Sequence, residues 1–121
     1  MRELTKAEEE VMRIIWHKQE SMVRDVVAAM PEPKPAYNTV STVIRVLEGK
    51  GFLDHKAYGN TYVYFPLVAE ADYRHFAFDK VMNNYFSNSY AHLVSFLVQE
   101  KKLDTNTLDD LLKMAEKLKN Q

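Results

Sequence analysis

Asn38, Ser41, Thr42 and Arg45 are spaced so that helical winding gathers them on one side of a single segment. Val40, Val43, Ile44 and Leu47 fall on the other side. An Asn amide can pair with adenine, an Arg fork with guanine, and a Thr methyl can touch thymine. Lys34, Lys50 and Lys56 lie in the same stretch of sequence and, with Arg45, offer charge suited to phosphates. This is hydrogen-bonding chemistry of the kind that reads a nucleic-acid groove. The plainer reading is a solvated polar face, which most amphipathic surface helices carry.

Bond-making chemistry finds little support. His17, His55, His75 and His92 are never three or four apart, so no pair has metal-ligand spacing on a helix. No metal or cofactor is expected. Glu8-Glu9-Glu10 and Asp109-Asp110 read as solvated helix faces. Serines 21, 41, 87, 89 and 95 sit in no nucleophile-elbow context. Gly49, Gly51 and Gly59 make no phosphate-binding loop, and the chain has no cysteine. An enzyme is therefore not expected.

The elements that must position the polar face can be read on either side of it. Thr5 with Glu8 forms a capping-box pattern, and the helix it opens runs to about Lys18. Ser21 is a candidate cap for a second helix with Val23, Val26, Val27 and Met30 on one face. The run MPEPKP ends that helix. A third begins near Tyr37 or Asn38, with Asn38 as a candidate cap, and stops at Gly49 and Gly51. FLDHKAY and TYVYFP then flank Gly59-Asn60, a two-residue hairpin signature, and Pro66 closes the second strand.

Beyond Pro66 the pattern is helical. One helix presents Tyr73, Phe76, Val81 and Tyr85, and SNSY breaks it. A second presents Leu93, Phe96 and Leu97. A third, capped by Asp104 or Thr105, presents Leu108, Leu111, Leu112 and Leu118. A segment of about 50 residues is marginal for independent stability, so these apolar positions suggest pairing with a second copy. Packing back on residues 1–66 is the alternative. An aromatic-lined small-molecule pocket is a further one, less simple than core and interface packing.

Composition bounds the class. Hydrophobic residues make up 46% of the 121-residue chain, which suits a real core. No apolar run is long enough to span a membrane, so no membrane insertion is expected. The opening MRELTKAEEE lacks the apolar core of a secretory signal, and the simplest location is the cytoplasm. The charge is less favourable to DNA. Sixteen Lys and Arg oppose 17 Asp and Glu, for a net charge of −1. Residues 1–66 carry nine of each sign. A local patch must then supply the affinity.

Helix, helix, helix and hairpin is the order of a winged helix-turn-helix, with the third helix in the major groove and the hairpin as wing. The expected fold is mainly α with a small β-hairpin wing: residues 1–66 as the DNA-binding domain, residues 67–121 as a three-helix dimerisation region. The expected function is a repressor that binds a palindromic double-stranded DNA operator as a homodimer. The alternative is a winged-helix module for protein contacts.

The runs LTKAEEEVMRIIW, VRDVVAAM, AYNTVSTVIRVLEGKGFLDH and YVYFPLV together resemble the BlaI/MecI/CopY penicillinase-repressor family over nearly the whole chain. The resemblance implies a winged-helix repressor, homodimeric through its C-terminal helices. In the antibiotic-responsive members it implies release after a membrane-bound sensor metalloprotease leads to cleavage. By position, Asn38, Thr39 and Thr42 match the recognition helix, and Lys56, Tyr58 and Asn60 fall on the wing. The cleavage position aligns near Phe96-Leu97, where the family's Asn is absent. Val46 stands where the family often has Arg, with Arg45 one step round the helix. The C-terminal cysteines of the copper-responsive members are missing, which excludes that metal switch.

Overall fold

The computed structural model describes residues 1–120, so Gln121, the end of the expected second domain, lies outside the described residues. The order is α1 (Lys6–Lys18), α2 (Val23–Ala29), α3 (Tyr37–Gly49), β1 (Leu53–Tyr58), β2 (Thr61–Pro66), α4 (Glu70–Phe86), α5 (Tyr90–Gln99) and α6 (Thr105–Lys119). The mainly helical class with one antiparallel hairpin is as expected. The chain divides into two units, residues 1–77 and residue 78 onward.

In the first unit, α1 starts with the capping box that Thr5 and Glu8 announce. Thr5 Oγ1 accepts from the Glu8 amide at 3.2 Å, and Glu8 Oε1 accepts from the Thr5 amide at 2.8 Å. Glu8 is not on a solvated face as its neighbours suggested. It is buried, and Lys50 Nζ donates to its Oε1 at 2.8 Å. Burial raises its pKa, but Lys50 and the Thr5 amide outweigh that and hold it below the ordinary carboxylate value.

Two expected caps fall elsewhere. Ser21 does not cap α2, whose N-cap is Met22. Instead Ser21 exchanges backbone hydrogen bonds with Tyr64 at 2.9 and 2.8 Å, anchoring β2 to the connection between α1 and α2. Asn38 does not cap α3 either. The helix already begins at Tyr37 on an extended Ala36, which leaves Asn38 in the first turn with its carbonyl accepting from Thr42 Oγ1 at 2.9 Å.

α3 ends in a Schellman arrangement. The Phe52 amide donates to Leu47 O and the Gly51 amide to Glu48 O, both at 3.0 Å. Gly51 takes φ +84°, a left-handed conformation that a Cβ would disfavour. This turn drops Phe52 and Leu53 straight into the core. There they join Val11, Met12, Ile15, Val26, Val40, Ile44 and Leu47, all nearly inaccessible. Each large side chain so buried contributes about 1.5–3 kcal/mol.

The hairpin pairs Leu53 with Pro66 through to Tyr58 with Thr61, leaving Gly59-Asn60 as its two-residue turn. Directly paired residues share a face. Leu53, His55, Ala57, Tyr62 and Tyr64 therefore lie on one side, and Asp54, Lys56, Tyr58, Val63 and Phe65 on the other.

The first unit also takes in the start of α4. The Leu4 amide donates to the Tyr73 hydroxyl at 2.9 Å, and Trp16 Nε1 donates to Val68 O at 2.8 Å. Tyr73 is buried in this core, edge-on to Phe52, with Phe76 beside it. The apolar pattern of the sequence places both on an expected dimer surface. Tyr73 is instead consumed inside the first unit, and Phe76 packs half-buried against the same core, because α4 begins before that unit closes.

The second unit is different in kind. Phe78 stacks on Tyr90 and Phe86 meets Phe96 edge-on. Ser89 caps α5 and Asp104 caps α6. The Asp104 carboxyl sits below its ordinary pKa because it accepts from the Thr107 amide. Yet no described residue of α5 or α6 is buried. Among the described residues, no helix is long and apolar enough to cross a membrane.

Candidate nucleic-acid interface

α3 buries Val40, Ile44 and Leu47. At 3.6 residues per turn, the sector opposite carries Asn38, Thr42, Arg45 and Gly49, with Val46 at its edge. All five are exposed, and Val46 keeps 44% of its surface. The polar face of the sequence is thus a real outward face. Its floor is held by the core, and its far end by the Schellman turn.

Beside this face runs an open groove of about 390 Å³ between α3, the start of α2 and the wing. Arg24, Tyr37, Ser41 and Arg45 line it on the helical side, and Asn60, Thr61, Tyr62 and Tyr64 on the wing side. Arg45 reaches Ser41 Oγ at 3.5 Å, a long contact that leaves its guanidinium largely uncommitted. Among the described residues no carboxylate lines the groove. Tyr64 is buried, and that burial, with the nearby Glu48 charge, raises its phenol pKa so that it stays neutral.

The expected residues separate into groups. Ser41, Arg45 and Asn60 line the groove, with Asn38 and Thr42 exposed on the adjoining outward face. Lys56 and Tyr58 sit on the other face of the wing, where Lys56 Nζ lies 5.4 Å from the Phe65 ring centroid. Thr39 borders a separate apolar cleft with Pro31, Pro33 and Pro35. Lys34 is spent on structure, donating to the Ala28 and Met30 carbonyls at 2.7 and 2.8 Å, where it satisfies the end of α2. Lys50 is likewise spent on Glu8. Of the four basic residues first grouped with this surface, only Arg45 reaches the groove.

The sequence reading missed Arg24 and Tyr37. Arg24 is the second residue of α2 and lines the groove opposite the wing. Its place beside the wing is a tertiary relation that spacing within α2 does not encode.

The match to known proteins agrees with this geometry. The family model of the penicillinase repressor matches residues 4–117. The chain belongs to the penicillinase repressor family. That family is one of transcriptional repressors, which are not enzymes. The methicillin resistance regulatory protein MecI of Staphylococcus aureus strain N315 is 28% identical over 116 residues, covering 95% of this chain and 94% of that protein. The penicillinase repressor of Bacillus licheniformis is 24% identical over 120 residues, covering 98% and 94%. The solution structure of the DNA-binding domain of the repressor BlaI superposes with a TM-score of 0.52 at 30% identity, over 60% of this chain and 94% of that one. A solution structure of monomeric Bacillus licheniformis BlaI in complex with the blaP half-operator gives 0.50 at 30% identity, over 60% and 89%. The winged-helix assignment and membership of a repressor family therefore stand.

Proposed function

We propose that this repressor binds a two-fold symmetric DNA operator as a homodimer, reading it with the outward face of α3 and holding its backbone in the groove beside the wing. The observation that carries this is the groove itself. It brings Arg24 and Arg45 together without a lining carboxylate, in a chain whose net charge is −1. Phosphate affinity depends on such local charge rather than on the total. Asn38, Thr42 and Arg45 supply base-edge chemistry, and the exposed methyls of Val46 suit a thymine methyl.

Pairing is proposed for residues 67–121, with Tyr73 buried in the first unit and Phe76 half-buried against it. Tyr85, Leu112 and Leu118 remain 78%, 63% and 61% exposed in a single chain. A second copy that covers them would place two reading heads on half-sites separated by about one helical turn, or a multiple of it. The relative that binds a half-operator as a monomer supports one head per half-site.

Release by a sensor signal fits the same arrangement. Phe96 and Leu97 lie within α5, where their carbonyls accept from the Glu100 and Lys102 amides. A cut there would detach α6 from the pairing unit, and α5 would have to open locally first.

The test is a gel shift on DNA from upstream of the chain's own gene, with wild type, Thr42→Ala and Arg45→Ala. Specific binding is expected to be lost in both variants while the dimer persists. Unchanged binding would remove these residues from the reading surface. The near-neutral charge favours one other reading, a winged helix that contacts protein. Absence of any specific shift by the wild type would favour that reading.

A further inference from the structure

Behind the groove wall, three side chains of metal-binding type come within reach of one another, Asp54 from the strand face opposite to that of His55. Glu48 comes from the last turn of α3, and Asp54 and His55 from the start of β1. Their ligand atoms all lie within 4.8 Å of one another. The group does not follow helical His-pair spacing. Glu48 and His55 stand seven apart in sequence, and the Schellman turn folds the strand back against the helix to bring them together.

The cluster is held in place from outside. The His55 ring stacks on Tyr62 with centroids 4.4 Å apart and leans on Tyr64 at 5.5 Å, which fixes its plane. His55 Nδ1 hydrogen bonds to Glu48 Oε2, so the nitrogen that would ligate already faces a carboxylate. Asp54 Oδ1 accepts from the His55 amide at 2.8 Å, which fixes the second carboxylate. The His55 and Glu48 side chains keep 31% and 28% of their surface exposed. An ion can therefore enter and keep water in its remaining positions.

We propose that Glu48, Asp54 and His55 form a binding site for a divalent transition-metal ion of zinc type, bridging the recognition helix and the wing. One imidazole and two carboxylates suit zinc and its neighbours, with water completing the shell. Harder ions such as magnesium would gain little from the imidazole. A bound ion cancels the two carboxylate charges beside the groove and ties α3 to β1. Tyr62 and Tyr64 carry that restraint, since they touch His55 and also line the groove. Tighter DNA binding on metal loading follows from the proposed DNA-binding role, whereas the site itself does not depend on it.

Zinc chloride titrated into the full chain by calorimetry, without DNA, tests the site. One ion per chain is expected. His55→Ala and Glu48→Gln should each weaken binding by about tenfold or more. His75→Ala and His92→Ala should bind like the wild type. Zinc should also raise the thermal midpoint of the wild type and leave that of Glu48→Gln unmoved. Glu48→Gln keeps the side chain's shape, and far-UV circular dichroism checks that each variant is folded. No binding at about 100 µM zinc, a threshold well short of a functional affinity, would overturn the proposal. So would binding that survives in His55→Ala or is lost in His92→Ala. Because no DNA is present, failure here leaves the DNA-binding reading untouched, and failure of the gel shift leaves the metal site untouched.

Discussion

The two units of this chain use their apolar residues in opposite ways. In residues 1–77, α1, α2, α3 and the hairpin close over one core, in which Met12, Ile15, Ile44 and Leu47 lose all measurable exposure. From residue 78 onward the helices are as well capped and as apolar, yet α5 and α6 bury none of their described residues. Capping and periodicity make a helix, and only tertiary closure makes a core. The first unit is complete within one copy. The second presents surface that a partner would cover, which is why pairing is proposed for it and reading for the other.

Changing one apolar side chain in each unit, a buried one in the first and an exposed one in the second, is the sharpest way to break this comparison. Ile44→Ala should destabilise the first unit by about 2–5 kcal/mol, seen as a lower urea midpoint. Leu112→Asp should leave the folded signal of the first unit unchanged. It should instead shift the sedimentation equilibrium towards monomer by about tenfold or more, as loss of a buried interface anchor does. If Leu112→Asp unfolds the first unit, or if the wild type is monomeric at micromolar concentration, the division of labour is wrong.

A smaller effect is expected at the Glu8–Lys50 pair, which joins the start of α1 to the end of α3. Lys50→Met leaves a buried carboxylate without its cation and should cost about 1–3 kcal/mol. The pair also sets a pH dependence. The folded pKa of Glu8 lies below its ordinary 4.5. Its contribution is therefore fully present above pH 4.5 and is lost as pH falls through the lower, folded value. The urea midpoint of the wild type should exceed that of Glu8→Gln near neutrality, and the gap should narrow below pH 4.5. A gap that widens on acidification would reverse the assignment.

The elements were legible because each carries its own local signal. Thr5 and Glu8, Gly51, Gly59-Asn60, Ser89 and Asp104 mark starts and stops that the backbone alone enforces. What sequence did not show was tertiary. Ser21 looks like a helix cap, but backbone pairing with Tyr64 claims it. Lys34 and Lys50 look like phosphate ligands, but nearby carbonyls and a buried carboxylate claim them first. Tyr73 and Phe76 continue the apolar pattern of the pairing helices, but the first core reaches them. Arg24 and the Glu48–Asp54–His55 cluster become visible only once the turn after α3 brings distant segments together. Local chemistry reads from the chain, and partner choice among charges requires the fold.

Phosphate binding by this near-neutral chain is proposed to come from Arg24 and Arg45. Operator affinity measured across a salt series, for wild type and for Arg24→Ala/Arg45→Ala, tests it directly. Each cation that neutralises a phosphate contributes close to one unit to the slope of log affinity against log salt. Removing both arginines should flatten the slope by about two per chain and weaken binding to operator and unrelated DNA together. A double variant that keeps the wild-type affinity and slope would contradict the account, since phosphates would then be bound elsewhere on the molecule.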